Sequence, residues 1–483
     1  MTFQQYCDMM QIGIVHWSKP SLHKLLYRAR GTYVMRKEKS NTNQITEGVI
    51  WKQLLIFFFP IVIGTFFQQL YNTVDAVIVG RFIGKQALAS VGGSAAVLSN
   101  LVIGFFTGLS AGATVIISQY FGAKDEANLN KGLHTAYAFS ILASVVISVV
   151  GWFSAPALLT MMKTPADVLP DSILYLRIYF LGILFVLIYN MGSGIMRAIG
   201  DSKRPLYYLI VCCFLNIVLD IVMVLVFHLG IAGVAIATII AQAVSALLVT
   251  FSLMRSYDML KLRLKAIKIH PDLLKAEFRI GLPSGLQSCA YSITNIIIQT
   301  SINNFGTDTA AAWAAFGKLD AIFWTICGAF GISITTFAGQ NFGAKQYARV
   351  RKSVRVCLLM ALSICGAMVV FLMIACRPLY HIFTSDQAVI DIGVYMLKLI
   401  TPSYLIYIFV EIYSGALRGI GDVLIPALIT MGGVLLVRIP WVLFVTPMRN
   451  EVSTLLFSYP MAWSATALLL IPYYFYRKKK VLE

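Results

Sequence analysis

Two aspartates lie inside long apolar stretches of this sequence. Burial of an ionisable side chain in apolar surroundings costs free energy, so each aspartate is a candidate functional residue. The first, Asp75, follows Gln68 by seven residues and Tyr71 by four. Residues spaced in this way share one face of a helix. We therefore predict that Gln68, Tyr71 and Asp75 form a polar stripe that faces the interior of a helical bundle.

The second aspartate, Asp220, lies four residues after Asn216, with Met223 on nearly the same helical face. Thr238 adds a hydroxyl group in the next apolar stretch. Carboxylate, amide and hydroxyl oxygens suit a hard monovalent cation. We predict a cation-binding site at Asp75, Asn216, Asp220 and Thr238, with the two aspartates as ligands of a sodium ion. The two carboxyl groups could instead carry protons, or only form hydrogen bonds between helices.

The second half of the sequence does not repeat this site. Ile298 and Trp441 stand at the positions that correspond to Asp75 and Asp220. One apolar stretch of this half carries a neutral polar stripe with a spacing of four residues, at Gln287, Tyr291, Asn295 and Gln299. The stripe could line a substrate cavity or form hydrogen bonds between helices.

Three more charged residues are candidates for burial, namely Glu411, Asp320 and Arg438. We assign Glu411 to the predicted substrate cavity. Two prolines, Pro60 and Pro283, fall in the first third of their apolar stretches, where a missing amide hydrogen bond permits a kink. Kinked helices beside a cation site could couple binding to motion.

We predict that membrane-spanning helices carry these residues. Of the 483 residues, 58% are hydrophobic and 12% are charged, whereas soluble domains carry about 25% charged residues. About 20 apolar residues span the hydrocarbon core. Twelve such stretches occur, near residues 51–80, 88–116, 132–153, 171–196, 205–228, 231–254, 278–304, 309–338, 356–376, 389–416, 424–447 and 453–476. The sequence therefore predicts an all-α integral membrane protein with lipid as its surroundings.

The net charge of +18 follows from the predicted topology. Basic residues cluster before the first span and after the fourth, sixth, eighth and twelfth, which places them on one side of the membrane. Lysine and arginine concentrate in cytoplasmic loops. We therefore predict a multi-pass protein of the inner (plasma) membrane with both termini in the cytoplasm, and no nucleic-acid partner.

An internal repeat sets the architecture. The segment SGIMRAIGDSKRP (193–205) corresponds to SGALRGIGDVLIP (414–426), and QYFGAK (119–124) corresponds to QNFGAK (340–345), both at an offset of 221 residues. Six spans in each repeat is an even number, so both halves enter the membrane from the same side. We predict two six-helix lobes, related as parallel repeats, around a central cleft.

The predicted spans and basic segments divide the chain into five parts. They are a cytoplasmic extension (1–45), a first lobe (46–256), a basic cytoplasmic loop (257–277), a second lobe (278–476) and a basic cytoplasmic tail (477–483). Residues 1–34 contain no secretory signal and could precede the natural start at Met35. The eight cysteines show no zinc-site or disulfide pattern.

Several stretches together resemble the multidrug and toxic compound extrusion (MATE) family, over about residues 45–478. They are QQLYNTVDAVIVGRFIGKQALASVG (68–92), SQYFGAKD (118–125), MRAIGDSKRP (196–205) and GQNFGAK (339–345). The resemblance implies twelve helices in two lobes and export of organic, often cationic, compounds in exchange for sodium ions or protons. It also implies no cofactor beyond the coupling ion.

The resemblance extends to individual residues. In many prokaryotic members, the cation site of the first lobe uses residues that match Asp75, Asn216, Asp220 and Thr238. Gln68, Tyr71, Met223 and Asn190 match the lining of the same lobe, and Pro60 matches the kink proline. Another branch of the family depends on acids in spans 7 and 10. The predicted span 7 contains no acid here, and Glu411 is an approximate match in span 10.

The expected function is antiport of small organic molecules by alternating access, by a monomer. A lipid-linked precursor flippase or a dedicated metabolite exporter of a related two-lobe fold is the alternative. No sequence pattern typical of a hydrolase or a metalloenzyme lies at membrane depth, so we do not expect an enzyme.

Overall fold

The computed structural model describes residues 45–483, and this part of the chain is helical without a β-strand. Twelve long helical elements follow one another, which confirms the predicted all-α fold. The first six are α1 (Ile50–Ile78), α2 (Ser94–Gly122), α3 (Glu126–Met161), α4 (Leu169–Leu181 and Ile183–Ala198), α5 (Lys203–Ile221) and α6 (Gly230–Arg255). The second six are α7 (Pro271–Asn303), α8 (Thr307–Gly343), α9 (Tyr347–Ile374), α10 (Gln387–Ile400 and Tyr404–Gly419), α11 (Leu424–Gly432, continued as helical turns to Arg449) and α12 (Val452–Leu482). The predicted extension lies outside the described residues, except for Ile45.

Within residues 45–483, ten helices are long and apolar enough to cross a membrane, and eleven if the two segments of α4 count as one span. The remaining element, α7, is 33 residues long. Its stripe of amide and hydroxyl side chains lowers its hydropathy below that of the others. Length and composition therefore agree with a multi-pass membrane protein.

The helix boundaries differ from the apolar stretches at several places. Residues Lys85–Gly92 form a separate short helix, so α2 begins at Ser94 rather than at residue 88. The helix α7 begins at Pro271, inside the stretch predicted to be a loop, and α12 continues to Leu482 through most of the predicted tail. Hydropathy marks the part of a helix that lies in lipid, whereas the hydrogen-bonded helix continues beyond it.

The helix α4 is bent by 50° between its two segments, where the sequence predicted one continuous span. The bend lies at Gly182, which approaches α6 closely. A Cβ atom added at Gly182 would lie 2.3 Å from Cγ1 of Ile239. The bend thus depends on a tertiary contact that the apolar pattern does not reveal.

The helix α1 connects the two repeats. Its first part packs on the second repeat, where Phe58 stacks on Phe330 of α8 at 4.2 Å between ring centroids. Its later part packs on α5, where a Cβ atom added at Gly64 would lie 3.6 Å from Leu209. Pro60 lies between these two contacts, inside an unbroken helix.

The helix α7 makes the reciprocal crossing. Its first part lies against α2, so closely that a Cβ atom added at Gly281 would be 2.3 Å from the backbone oxygen of Leu109. Gly285 makes a similar approach to Phe105. Pro283 lies between these glycines, and the helix is again unbroken. The first part of α1 therefore packs on the second repeat, and the first part of α7 packs on the first repeat.

The ends of the helices that carry the basic loops lie together, and we call this side of the molecule the basic end. The tips of α2 and α8 meet there. A Cβ atom added at Gly122 would lie 1.9 Å from the backbone oxygen of Gln340, and one added at Gly343 would lie 1.9 Å from that of Gln119. Glycine is required at both positions for this approach. The repeats therefore close against each other at the basic end with twofold-like symmetry.

Two hydrogen bonds cross the same interface. The side chain of Gln119 donates to the carbonyl of Gly419 at 2.9 Å, and that of Gln340 donates to the carbonyl of Ala198 at 2.6 Å. Donors and acceptors both correspond at the repeat offset of 221 residues. These bonds link the tips of α2 and α8 to the ends of α10 and α4.

Candidate cation and substrate site

The aspartates predicted for cation binding are neighbours in the first lobe. Asp75 on α1 and Asp220 on α5 interact through their carboxyl groups. Asp220 is fully buried, and Asn216, one helical turn earlier, is 1% exposed. Packing of α1 on α5, including Phe67 against Phe214, brings the two helices together. The structure therefore gathers three of the four predicted ligands.

Apart from the contact between the two carboxyl groups, these side chains have no hydrogen-bond partner among the described residues. Both carboxyl oxygens of Asp220, both polar side-chain atoms of Asn216 and Oδ1 of Asp75 are buried without a partner. A buried polar group without a partner is destabilising. The site therefore has the free oxygen atoms that a cation or a proton requires.

Thr238, the fourth predicted ligand, lies on α6 and is 8% exposed. Its hydroxyl donates to the carbonyl of Val234 at 3.0 Å, which leaves the oxygen lone pairs available. Met223 contacts the same helix, because a Cβ atom added at Gly233 would lie 3.0 Å from Cβ of Met223. Met223 thus contributes to the packing of α5 on α6.

Both aspartates precede an irregular helical turn. Residues Val79–Ile83 form a π-helical segment shortly after Asp75, and Val222–Val226 form another shortly after Asp220. Such segments are rare and occur frequently at functional sites. They widen the helix locally and so change the direction of the side chains around the carboxyl pair.

Two tyrosines of α4 belong to this neighbourhood and were not predicted. Tyr175 interacts electrostatically with both aspartates, and Tyr179 interacts with Tyr71. The rings of Tyr175 and Tyr179 are stacked at 6.2 Å. Their spacing of four residues was the available signal, but tyrosines are too frequent in this chain for that spacing to be specific.

The other residues predicted to line the first lobe are not all gathered here. Tyr71 is buried, whereas Gln68 is exposed. Asn190 is half-buried and donates to the carbonyl of Val186 at 2.8 Å, within its own helix. Nothing in its contacts connects Asn190 with the carboxyl pair, so its role stays a prediction.

In the second lobe, part of the neutral stripe meets the acid of α10. Tyr291 interacts with Gln287, Glu411 and Arg438. The hydroxyl of Tyr407 donates to Oε2 of Glu411 at 3.1 Å. This cluster combines acidic, basic, amide and aromatic groups at one place between α7, α10 and α11.

The later part of the stripe lies apart from this cluster. Asn295 and Gln299 are exposed, and Gln299 donates to Oδ1 of Asn303 at 2.9 Å. The residues that correspond to the first-lobe aspartates are structural here. Ile298 is 1% exposed, and the indole of Trp441 donates to the carbonyl of Thr454 at 2.7 Å.

Asp320 and Arg438 form a second charge cluster, in which Arg438 is buried and Asp320 is half-buried. Asp320 accepts hydrogen bonds from the indole of Trp324, at 2.7 Å, and from the hydroxyl of Tyr404. Arg438 is 2% exposed. Its Cζ atom lies 4.0 Å from the ring centroid of Tyr459 and 5.6 Å from that of Trp463. Its Nε and Nη2 atoms have no hydrogen-bond partner in the described part of the chain.

One buried acid was missed altogether. Because the predicted span 7 began at residue 278, it contained no acid, whereas α7 begins at Pro271 and includes Glu277. Glu277 is 4% exposed. The prediction that span 7 contains no acid is therefore wrong, because the helix α7 includes Glu277. Glu277 lies near the basic end, ten residues or about three helical turns before Gln287.

Among residues 45–483, no group of three or more histidine, cysteine, aspartate or glutamate side chains is arranged to hold a metal ion. A cation at Asp75 and Asp220 would therefore be completed by neutral oxygens, which Asn216 and Thr238 could supply. Such a ligand set suits an alkali cation or a proton better than a transition metal.

Curated relatives of this chain include multidrug proteins. "Probable multidrug resistance protein YoeA" of Bacillus subtilis (strain 168) is 29% identical over 91% of this chain and 96% of its own length. "Multidrug export protein MepA" of Staphylococcus aureus (strain N315) is 23% identical over 77% of this chain and 82% of its own length.

Solved structures with the same fold include MATE transporters. One described as an outward-facing conformation of a multidrug resistance MATE family transporter of the MOP superfamily has a TM-score of 0.85 at 20% identity. It covers 92% of this chain and 100% of its own. A MATE crystal structure in a bent conformation also has a TM-score of 0.85, over 92% of this chain and 98% of its own. These structures establish the two-lobe fold.

The family model MatE matches this chain twice, over residues 60–222 and 283–443. Each match covers most of one internal repeat, including the aspartate positions of the first and the corresponding Ile298 and Trp441 of the second. The repeat, the two-lobe fold and the multidrug relatives agree with one another, and the chain belongs to the MatE family of multi-pass membrane transporters.

Proposed function

We propose that this protein is a secondary active antiporter that exports small organic compounds in exchange for sodium ions or protons. One observation carries the proposal, namely the neighbouring carboxyl groups of Asp75 and Asp220, whose buried oxygens have no polar partner besides each other. At membrane depth such groups need a bound cation or protons. The printed names of the relatives support an organic, drug-like substrate.

The mechanism that fits this arrangement is alternating access. We assign the basic end to the cytoplasm by the distribution of lysine and arginine. With this end closed, a cation from outside binds Asp75 and Asp220, draws α1 and α5 together and lowers the affinity for substrate. The substrate leaves to the outside, the lobes rearrange, and the cation is released to the cytoplasm. The amide and aromatic groups of Gln287 and Tyr291 contact the substrate in the second lobe.

The energy available is sufficient for useful export. One elementary charge that moves through 100 mV releases about 2.3 kcal/mol, which supports a roughly fiftyfold concentration gradient of an uncharged substrate. The chemical gradient of the coupling ion adds to this. Single-ion coupling at the carboxyl pair is therefore adequate.

The test is efflux of ethidium from proteoliposomes, with a sodium gradient and a proton gradient imposed separately. We expect one of the two gradients to drive efflux in the unmodified protein, and Asp75→Asn to abolish the driven component. The matched control is Asp272→Asn, which removes an exposed acid at the start of α7. Full gradient-driven efflux in a correctly inserted Asp75→Asn protein would contradict the proposal.

A further inference from the structure

An unused acid lies where the two lobes meet near the basic end. Glu277 belongs to α7 of the second lobe, but it packs against α2 and α3 of the first. A Cβ atom added at Gly112 of α2 would lie 2.1 Å from the backbone oxygen of Glu277. One added at Gly132 of α3 would lie 3.9 Å from its Oε1. The side chain therefore points into the first lobe.

The surroundings of this carboxyl group are apolar. The same added Cβ atom at Gly132 would lie 3.6 Å from Ile117, which is fully buried. The adjacent Phe278 packs edge-on against Phe139 of α3 at 5.0 Å. Within residues 45–483 no hydrogen bond or ion pair is made by Glu277, and its Oε1 is buried without a partner.

The charged and titratable groups nearby are engaged elsewhere or exposed. The helix α2 has no ionisable side chain before Tyr120. On α3, His134 is bound through both ring nitrogens, to the carbonyl of Asn130 at 2.6 Å and to the amide of Arg263 at 3.0 Å. Lys131, Lys275 and Arg279 are exposed. His270 is bound to Thr135, and Asp422 is bound to Tyr473 and Arg477. Arg418 is half-buried, and its charge acts on Glu411 of its own helix.

A carboxylate in such a place is strongly destabilised. Burial of an ionised carboxylate without a counter-charge costs so much that the group takes up a proton instead. The neutral acid is compatible with the apolar contacts of α2 and α3. Separation of the lobes at the basic end would remove those contacts and expose the group to water, where it ionises.

We propose that Glu277 is a second proton-binding site, distinct from the carboxyl pair, which holds a proton when the basic end is closed and releases it to the cytoplasm when that end opens. The inference rests on the proposed alternating access, but not on the identity of the coupling ion. Because the closed form binds the extra proton, a rise in cytoplasmic pH favours opening. A fall in pH favours closure.

The test measures the distance across the basic end as a function of pH. Spin labels are placed at Glu126 and Tyr347, which are exposed, begin α3 and α9, and correspond in the two repeats. The full chain is used in lipid nanodiscs, with native cysteines replaced and with Asp75→Asn and Asp220→Asn to remove titration of the first-lobe site. We expect the ratio of open to closed molecules to rise by up to about tenfold per pH unit.

The variant Glu277→Gln should keep the closed distance dominant and remove the pH dependence. Asp272→Asn, an exposed acid on the same helix, should leave the profile unchanged. If Glu277→Gln fails to fold, Glu277→Asp serves instead, and we expect it to shift the pH of half-opening. An unchanged profile in either Glu277 variant would overturn the inference alone. A basic end that never opens, at any pH or with substrate added, would contradict the proposed function as well.

Discussion

The two lobes hold their membrane-depth carboxyl groups in different ways. In the first lobe, both oxygens of Asp220 and one of Asp75 are buried without a partner. In the second, Asp320 accepts bonds from Trp324 and Tyr404. A satisfied carboxylate stabilises the bundle, whereas an unsatisfied one is retained at a cost to stability that binding can recover. The repeats thus share a fold and differ in whether these acids have hydrogen-bond partners, and the proposed cation site lies in the lobe where they do not.

Removal of these acids should affect stability differently in the two lobes, and this is the largest effect we expect. Asp320→Ala leaves the donors of Trp324 and Tyr404 unpaired and should reduce the free energy of unfolding by about 1–3 kcal/mol. Asp220→Ala removes two buried oxygens whose only polar contact is the carboxyl group of Asp75, and should reduce the free energy of unfolding less, or raise it. Thermal unfolding of the purified variants in detergent measures both. Equal losses in the two variants would show that the lobes do not differ in this way.

The lobes are alike, by contrast, where they meet at the basic end. Gln119 and Gln340 make corresponding hydrogen bonds to Gly419 and Ala198. We expect Gln119→Ala and Gln340→Ala each to weaken closure by about 1 kcal/mol, which raises the ratio of open to closed molecules about fivefold. The label pair at the starts of α3 and α9 reports this ratio. A change in one variant and none in the other would show that the two corresponding hydrogen bonds do not contribute equally to closure.

Much of this fold could be predicted from the sequence, because lipid requires long apolar helices and the repeat requires two similar lobes. Asp75 and Asp220 were found for the same reason, since an acid within an apolar stretch is conspicuous. Tyr175 and Tyr179 were not, because a tyrosine at membrane depth is unremarkable until a tertiary contact places it beside a carboxyl group.

Features that depend on close approach between helices could not be predicted. The bend of α4 follows from the contact of Gly182 with Ile239, and the burial of Glu277 follows from the glycines of α2 and α3. Hydropathy also placed the start of span 7 at residue 278, one residue after this acid, whereas the helix begins at Pro271. Sequence patterns located the candidate cation site, whereas the contact between the lobes needed coordinates.

The smallest difference between the repeats lies at the start of α3 and α9. Asp125 caps α3 by accepting a hydrogen bond from the amide of Asn128 at 3.0 Å, while the corresponding Gln346 makes no side-chain cap on α9. The hydrogen bonds from Asn128 lower the pKa of Asp125 below its usual value. A lowered pKa in the folded state stabilises the fold above the ordinary pKa of aspartate, and this contribution is lost as the pH falls through the lowered value.

We therefore expect Asp125→Ala to lower the midpoint of thermal unfolding slightly at pH 7, because the first turn of α3 loses its cap. Gln346→Ala should leave the midpoint unchanged, since no cap is lost. The difference between Asp125→Ala and the unmodified protein should shrink in acid, as Asp125 becomes protonated in the latter. A difference in midpoint that persists at low pH would mean that the contribution of Asp125 does not come from its ionised carboxylate. The ionised cap would then not distinguish the start of α3 from the start of α9.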